Sequence, residues 1–315
     1  MVETGSYSGN DSVEVTGSTA KPRKKVRIPA LAAVALALLL AGLLYYIHSP
    51  ETLYPVIVNG RYGFIDNSGR VAVQAQFDQA KRSSEGLAAI SQQGRWGYAD
   101  ASGRIVIPAQ YDLADPFSQG LALVGIGGKL GYINKDSHYV VTPQYTAAGP
   151  FGDGLAPVQI ADHWGYIDRS GKLRIDPQFD DAGTFSDGLA PVRFGGRFGY
   201  INTDGKLVIN PQFDTAGRFS EGLAAVRSNG QFGYIDKSAK LVIPAQFDSA
   251  GDFSDGLAMV AIGARFGYID HKGKFQINPR FDHADSFRDG LAQVWIGNHE
   301  FYINHQGLFV WKSAN

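Results

Sequence analysis

Carboxylates return at two fixed places through most of this 315-residue chain. Asp78, Asp112, Asp180, Asp214, Asp248 and Asp282 each follow an aromatic residue. Glu85, Asp153, Asp187, Glu221, Asp255 and Asp289 each precede a Gly-Leu-Ala triplet. Two carboxylates can serve as acid and base in glycoside cleavage. An enzyme needs such a pair once, whereas here both acids recur in nearly every copy of a motif. Repetition of that kind points to turn capping through side-chain to backbone hydrogen bonds. Asp66-Asn67-Ser68-Gly69 and Asp168-Arg169-Ser170-Gly171 look like fragments of a calcium loop. An EF-hand loop, however, takes about 12 residues and a closing Glu. These turns are shorter and run straight into Arg70 and Lys172.

The remaining chemistry-bearing residues form no constellation. His48, His138, His163, His271, His283, His299 and His305 contain no ligand pair of the His-Glu-x-x-His kind. They sit at variable positions, where solvated side chains are expected. The absence of Cys rules out disulfides, thiolate zinc sites, iron–sulfur clusters and a cysteine nucleophile. No phosphate-binding loop, dinucleotide fingerprint or nucleophile elbow is present, and Gly125-Ile126-Gly127-Gly128 reads as a turn between strands. A net charge of −1 argues against a nucleic-acid partner. The expectation is a chain with no catalytic or metal-binding residue and no cofactor.

The elements that carry these residues are copies of one unit. Gly63, Gly97, Gly131, Gly165, Gly199, Gly233 and Gly267 follow an aromatic residue or Leu at steps of 34, and the eighth copy has Phe301 there. Gly-Leu-Ala triplets from Gly86 to Gly290 keep the same step without an insertion or deletion. In residues 188–221, Leu189 to Phe194 reads as strand a, Gly195-Gly196 as a tight hairpin, and Arg197 to Asn202 as strand b. A second turn through Gly205 leads to strand c, Lys206 to Asn210, with Pro211 expected to end its pairing. About a dozen residues then connect to the next unit. One three-stranded meander buries too little to stand alone, so neighbours must cover each other. The strand b aromatics, Trp96 and Tyr98 through Phe266 and Tyr268, are expected to form the packing between units.

Arg95-Trp96-Gly97-Tyr98, His163-Trp164-Gly165-Tyr166-Ile167-Asp168, Pro177-Gln178-Phe179-Asp180 and Phe185-Ser186-Asp187-Gly188-Leu189-Ala190 carry a resemblance to the WG (KWG) repeat family. It covers roughly residues 52–315. The pattern departs from the family at Tyr62, Leu130, Phe198, Phe232, Phe266 and Glu300, which replace Trp, and at Ser83, which replaces the connector Phe. The resemblance implies repeat-mediated interaction and no activity. The fold expected is an all-β array of eight three-stranded antiparallel units, residues 52–315, in a curved solenoid; the alternative is a closed propeller-like ring. Whole units at both ends and a repeat shorter than the usual ~40–45 residues of propellers favour the solenoid.

The N-terminus predicts location. Residues 1–27 read as a disordered cytoplasmic tail ending in a basic cluster, Lys21, Arg23, Lys24, Lys25 and Arg27. Ile28 to Ile47 gives 20 uncharged residues, with Leu36, Leu40 and Leu44 between. As a helix rising ~1.5 Å per residue it would span the ~30 Å hydrocarbon core. Residues 48–51 are a linker. The positive-inside rule places the repeats across the membrane, in the periplasm or at the cell surface. An Ala33/Ala37/Ala41 stripe could pair two such helices into a homodimer.

The function expected is non-covalent binding of a protein, peptide or glycan in the cell envelope, with a passive assembly scaffold as the alternative. Candidate contacts are Trp295 and Trp311, at non-repeat positions of the last unit, where they could also cap an open end. Arg193 and Arg227 are further candidates, at one variable position of the unit.

Overall fold

Each unit folds as its residue pattern dictates. In residues 188–221 the strands are Leu189–Phe194 (a), Arg197–Asn202 (b) and Leu207–Phe213 (c), paired antiparallel in that order. Gly195 and Gly196 have φ of 61° and 82°, the two positive values of a type I′ hairpin turn. At the b–c turn the side-chain carbonyl of Asn202 accepts from the amides of Asp204 and Lys206. These features recur along the computed structural model of the protein, which describes residues 52–313. The tail, basic cluster, apolar segment, Ala stripe and linker expected within residues 1–51 lie outside the described residues. Among the described residues no helix is long and apolar enough to cross a membrane.

The connectors add an element that the sequence hides. Pairs such as Gln79–Ala80 and Thr215–Ala216 form two-residue strands beside the following strand a. Six of the eight sheets therefore have four strands rather than the three expected. The fourth unit keeps a single bridge, Ala148 to Val158, and the first unit has three strands only. Strands a and b are buried on both sides by neighbouring sheets, and strand c shows its outer face to solvent.

The sheets close into a ring, an eight-bladed β-propeller, so the solenoid expectation is corrected. Tyr54, Val56 and Ile65 of the first blade share a core cluster with Leu291 and Tyr302 of the last, with Val310 and Trp311 packed against it. Whole terminal blades argue for an open array; instead they dock on each other as interior blades do. No blade needs strands from both termini, because contacts between blades, not strand pairing, hold the ring.

Three repeated contacts make those joints. First, Tyr98, Tyr132, Tyr166, Tyr200, Tyr234 and Tyr268 are fully buried and donate to a carbonyl of the next connector at 2.7–2.9 Å. Connector rings such as Phe117 and Phe185 pack on these tyrosines at 4.8 Å. Second, the acids before most Gly-Leu-Ala triplets accept the corresponding glycine amide of the next blade, as Asp153 does from Gly188 at 2.7 Å and Asp187 from Gly222 at 2.9 Å; Gln119 takes the same bond from Gly154. Third, Asp78, Asp112 and Asp282 accept an amide of the next a–b turn and an Arg of the preceding strand b, Arg61, Arg95 and Arg265 respectively. The acids do cap backbone amides, but across blade boundaries.

The recurring glycine of strand b has a steric cause. A Cβ on Gly165 would lie 2.5 Å from the carbonyl oxygen of Ile175 and 2.8 Å from the nitrogen of Pro177. Strand c bulges inward there: Trp164 pairs with Phe179 and Tyr166 with Ile175, leaving Asp176-Pro177-Gln178 unpaired. The equivalent Pro211 therefore sits inside strand c rather than ending it, in a bulge where its missing amide costs no ladder bond. In the last blade Phe301 replaces the glycine. Phe301 and Tyr302 pair regularly with Lys312 and Trp311, and that bulge is absent.

Candidate binding site

The first blade begins without a channel-side strand, and the joint around it is rebuilt from residues that break the repeat. Tyr302 has no connector carbonyl ahead of it and donates to Pro55 at 2.8 Å. Tyr54 replaces the Ala of other blades and packs on Tyr302 at 5.5 Å, in the role of the connector Phe. Its hydroxyl donates to the carbonyls of Arg288 and Asp289. Ser83, where other connectors have Phe, accepts the amide of Leu53 at 2.6 Å. Thr52 donates to Asp289 at 3.0 Å, completing the ring of acid clamps.

Beside this joint lies an open cavity of about 460 Å³ that includes Pro55, Tyr302, Lys81, Arg82 and Arg288. The charges that line it, Lys81, Arg82, Asp285 and Arg288, come from the connectors of the second and eighth blades. Lys81 pairs with Asp115 at 2.7 Å, and Arg218 with Asp252 at 2.7 Å. Arg288 is open to solvent in the cavity, yet partial desolvation by the surrounding protein, and then the positive charges of Arg82 and Arg218, hold it below the ordinary guanidinium value. Asp252 is pushed up by burial, against the opposing pull of Arg218. Groups on the second, sixth, seventh and eighth blades thus act on one another across the channel. Elsewhere in the ring the same connector positions hold Pro116, Pro150 and Thr184, or Gly149, Gly183 and Gly217. Only the connectors of the fourth and fifth blades lack charge at these positions, so the charged sector runs from the sixth blade round to the third.

Glu300 stands behind that sector at the position that holds Trp96 and Trp164 in other blades. It is buried, and one of its carboxyl oxygens has no hydrogen-bond partner. Burial raises its pKa; a hydrogen bond from Gln293 opposes the rise, and Asp285 reinforces it.

The candidate residues read from sequence are scattered. Trp311 packs in the joint between last and first blades, 6.1 Å from Tyr302, so it caps no open end. Trp295 lies 5.0 Å from the ring of His283. Arg193 and Arg227 lie over Phe198 and Phe232 of their own blades. Two histidines expected to be solvated are stacked: His271 on Phe253 at 4.2 Å and His305 on Phe287 at 4.6 Å. Sequence reasoning misses Arg82 and Arg288. Comparing one column of the repeat at a time exposes Arg288, which stands where the other connectors have Ser or Gly, whereas the column of Arg82 also holds Arg218 and Asp252.

A second feature lies at the a–b hairpins. Ile126, Ile160, Phe194, Ile262 and Ile296 hold the same unit position and are exposed, Phe194 at 58%. They form an apolar series along the face of the ring where these hairpins turn.

The ring is similar to solved structures of low identity. One is described as a crystal structure of the eukaryotic initiation factor (10% identity, TM-score 0.55, covering 84% of this chain and 96% of that one). Another is dihydro-heme d1 dehydrogenase NirN (15%, TM-score 0.52, 82% and 72%). A third is the C-terminal WD40 domain of Sif2 (10%, TM-score 0.50, 74% and 84%). At such identities the likeness concerns the fold alone. No curated protein matches the chain. The pattern described as "WG containing repeat" matches residues 62–96, 96–129, 131–162, 164–198, 198–231, 232–264 and 266–298. Those segments cover well over half the sequence and coincide with the blade framework, and the chain belongs to the WG-containing repeat family.

Proposed function

We propose that this protein is a non-catalytic binding module of the cell envelope, tethered by residues 28–47 with its propeller outside the cytoplasm, and that it captures a protein or peptide partner. The observation that carries the reading is the apolar series at the a–b hairpins. Ile126, Ile160 and Phe194 stand exposed on consecutive blades, as do Ile262 and Ile296. Exposed apolar residues gathered on one face favour a macromolecular contact. The recurring acids support binding over catalysis, because they are spent on the joints between blades. The tether rests on the uncharged run and the basic cluster before it.

The test is capture from envelope extracts by the full-length chain in mild detergent, beside Phe194→Ser and Ile160→Ser variants. Saturable capture of one protein, weakened about tenfold or more by the double variant, is expected. Equal capture by wild type and double variant would refute the apolar face as the contact. For location, protease added outside intact spheroplasts should digest the repeats, and protection of the repeats there would reverse the orientation.

A further inference from the structure

The cavity beside the first blade contains two guanidinium groups, those of Arg82 and Arg288. Lys81 and Arg218 have acid partners, but among the described residues Arg82 and Arg288 form no salt bridge. Arg82 rests over the ring of Tyr54 at 5.1 Å. The position of Arg288 is Ser84, Ser118, Ser186, Ser220 and Ser254 in other connectors. Serine there ties one connector to the next, since Ser84 and Ser118 donate to the carbonyls of Phe117 and Phe151 at 2.7 Å. Arg288 gives up that bond and brings a cation into the field of Arg82 and Arg218. Asp289 and Asp252 act on Arg288 in the opposite sense, but with no acid in salt-bridge contact the two guanidinium groups keep donors free for an anion, and such a contact is worth most where solvent is partly excluded.

Guanidinium groups chelate planar or tetrahedral oxyanions through paired N–H donors. The cavity, about 460 Å³, is of small-ligand size and contains Ser286 and Gln293 as further polar contacts. Asp285 is also there. Its carboxylate disfavours a second anionic group and suits a hydroxyl or ammonium on the ligand. We propose that this cavity binds one small molecule whose carboxylate or phosphate group is held between Arg82 and Arg288, with a hydroxyl or amino group turned toward Asp285. Because Arg82 lies on the second blade and Arg288 on the eighth, the bound anion ties the two blades that flank the first. Binding therefore tightens the joint that closes the ring. The inference is independent of the partner proposed above, since the apolar hairpin series takes no part in it.

The test is calorimetric titration and thermal melting of the full-length protein with three probes at constant ionic strength: inorganic phosphate, glycerol phosphate and L-serine. The expected result is saturable binding of one molecule per chain for at least one probe, with Tm rising as that probe is added. The phosphate and serine arms separate a phosphate head from a carboxylate head. Arg82→Gln and Arg288→Gln should each weaken binding about tenfold or more. Arg288 is exposed, so R288Q keeps the fold and carries the test if R82Q disturbs the Tyr54 joint. Absence of saturable binding for all three probes, or affinity unchanged in folded R288Q, would overturn the proposal.

Discussion

The hydroxyl of Tyr302 donates to the carbonyl of Pro55, 247 residues earlier in the chain, at 2.8 Å. In every complete blade the equivalent carbonyl takes an amide of the channel-side strand instead, as Ala89 does from Lys81 and Pro191 from Gly183. One phenol thus stands in for an absent strand, and the first and last blades meet through a bond of the same length as the interior ones. The Tyr302→Phe variant should lose about 1–2 kcal/mol, because Pro55 then has no donor. Urea denaturation checks this, and an unchanged midpoint would show that water serves the carbonyl equally well.

The strand b glycine should tolerate no side chain. Gly165→Ala places a methyl 2.5 Å from a backbone oxygen of the adjacent strand, which only a displaced bulge can relieve. A loss of about 1–3 kcal/mol is expected, the usual cost of overpacking. Denaturation midpoints of the variant and wild type decide it.

The acid clamps should contribute individually. Asp187 accepts the amide of Gly222 on the next blade and has a φ of 56°, which Asp tolerates better than Ala does. Asp187→Ala removes the acceptor and keeps the strain, for a cost of about 1–2 kcal/mol. Asp187→Asn keeps an acceptor and should cost less, and equal losses in the two variants would refute the clamp.

Acid should weaken the b–c turns. Burial opposes ionisation of Asp66, but the hydroxyl and amide of Ser68 and the amide and guanidinium of Arg70 outweigh it and hold its pKa down to about 2. Asp100, Asp168 and Asp236 are also lowered, chiefly by the hydroxyl of a Ser two residues on. Since these folded-state values lie below those of unfolded Asp, the stabilisation is complete at neutral pH. It is lost as pH falls from about 4 toward about 2. Asn134 and Asn202 make the same turn bonds without a charge. Asp66→Asn should therefore fold normally, and its deficit against wild type at pH 7 should shrink at pH 3. A constant deficit in urea titrations at the two pH values would contradict this.

Much of the blade is legible in sequence because its signals are local. Gly195-Gly196 fixes the hairpin, and the expected strands Leu189 to Phe194 and Arg197 to Asn202 match the observed ones residue for residue. Strand c reads too short because Pro211 looks like a terminator, and only the close approach of strand c to Gly199 explains a proline inside it. Ring closure is illegible for a related reason. It depends on Tyr54, Thr52 and Ser83 meeting residues more than 200 positions away or one unit on, and each looks like decay of a terminal copy. The charged cavity stays hidden because Arg82 and Arg288 are ordinary surface types in a linear reading. They become neighbours only when the eighth blade returns to the first.

The constant 34-residue step leaves both faces of the propeller bare of inserted loops. Any recognition by the propeller would be written in single side chains on a uniform grid, eight columns wide. Exchanging one interior module for a copy of an interior neighbour would transplant that neighbour's side chains in a single event and keep the repeated contacts on either flank. Duplication and local shuffling within the gene would therefore supply new surfaces ready-made. That route to altered partners is closed to folds whose specificity resides in bespoke loops.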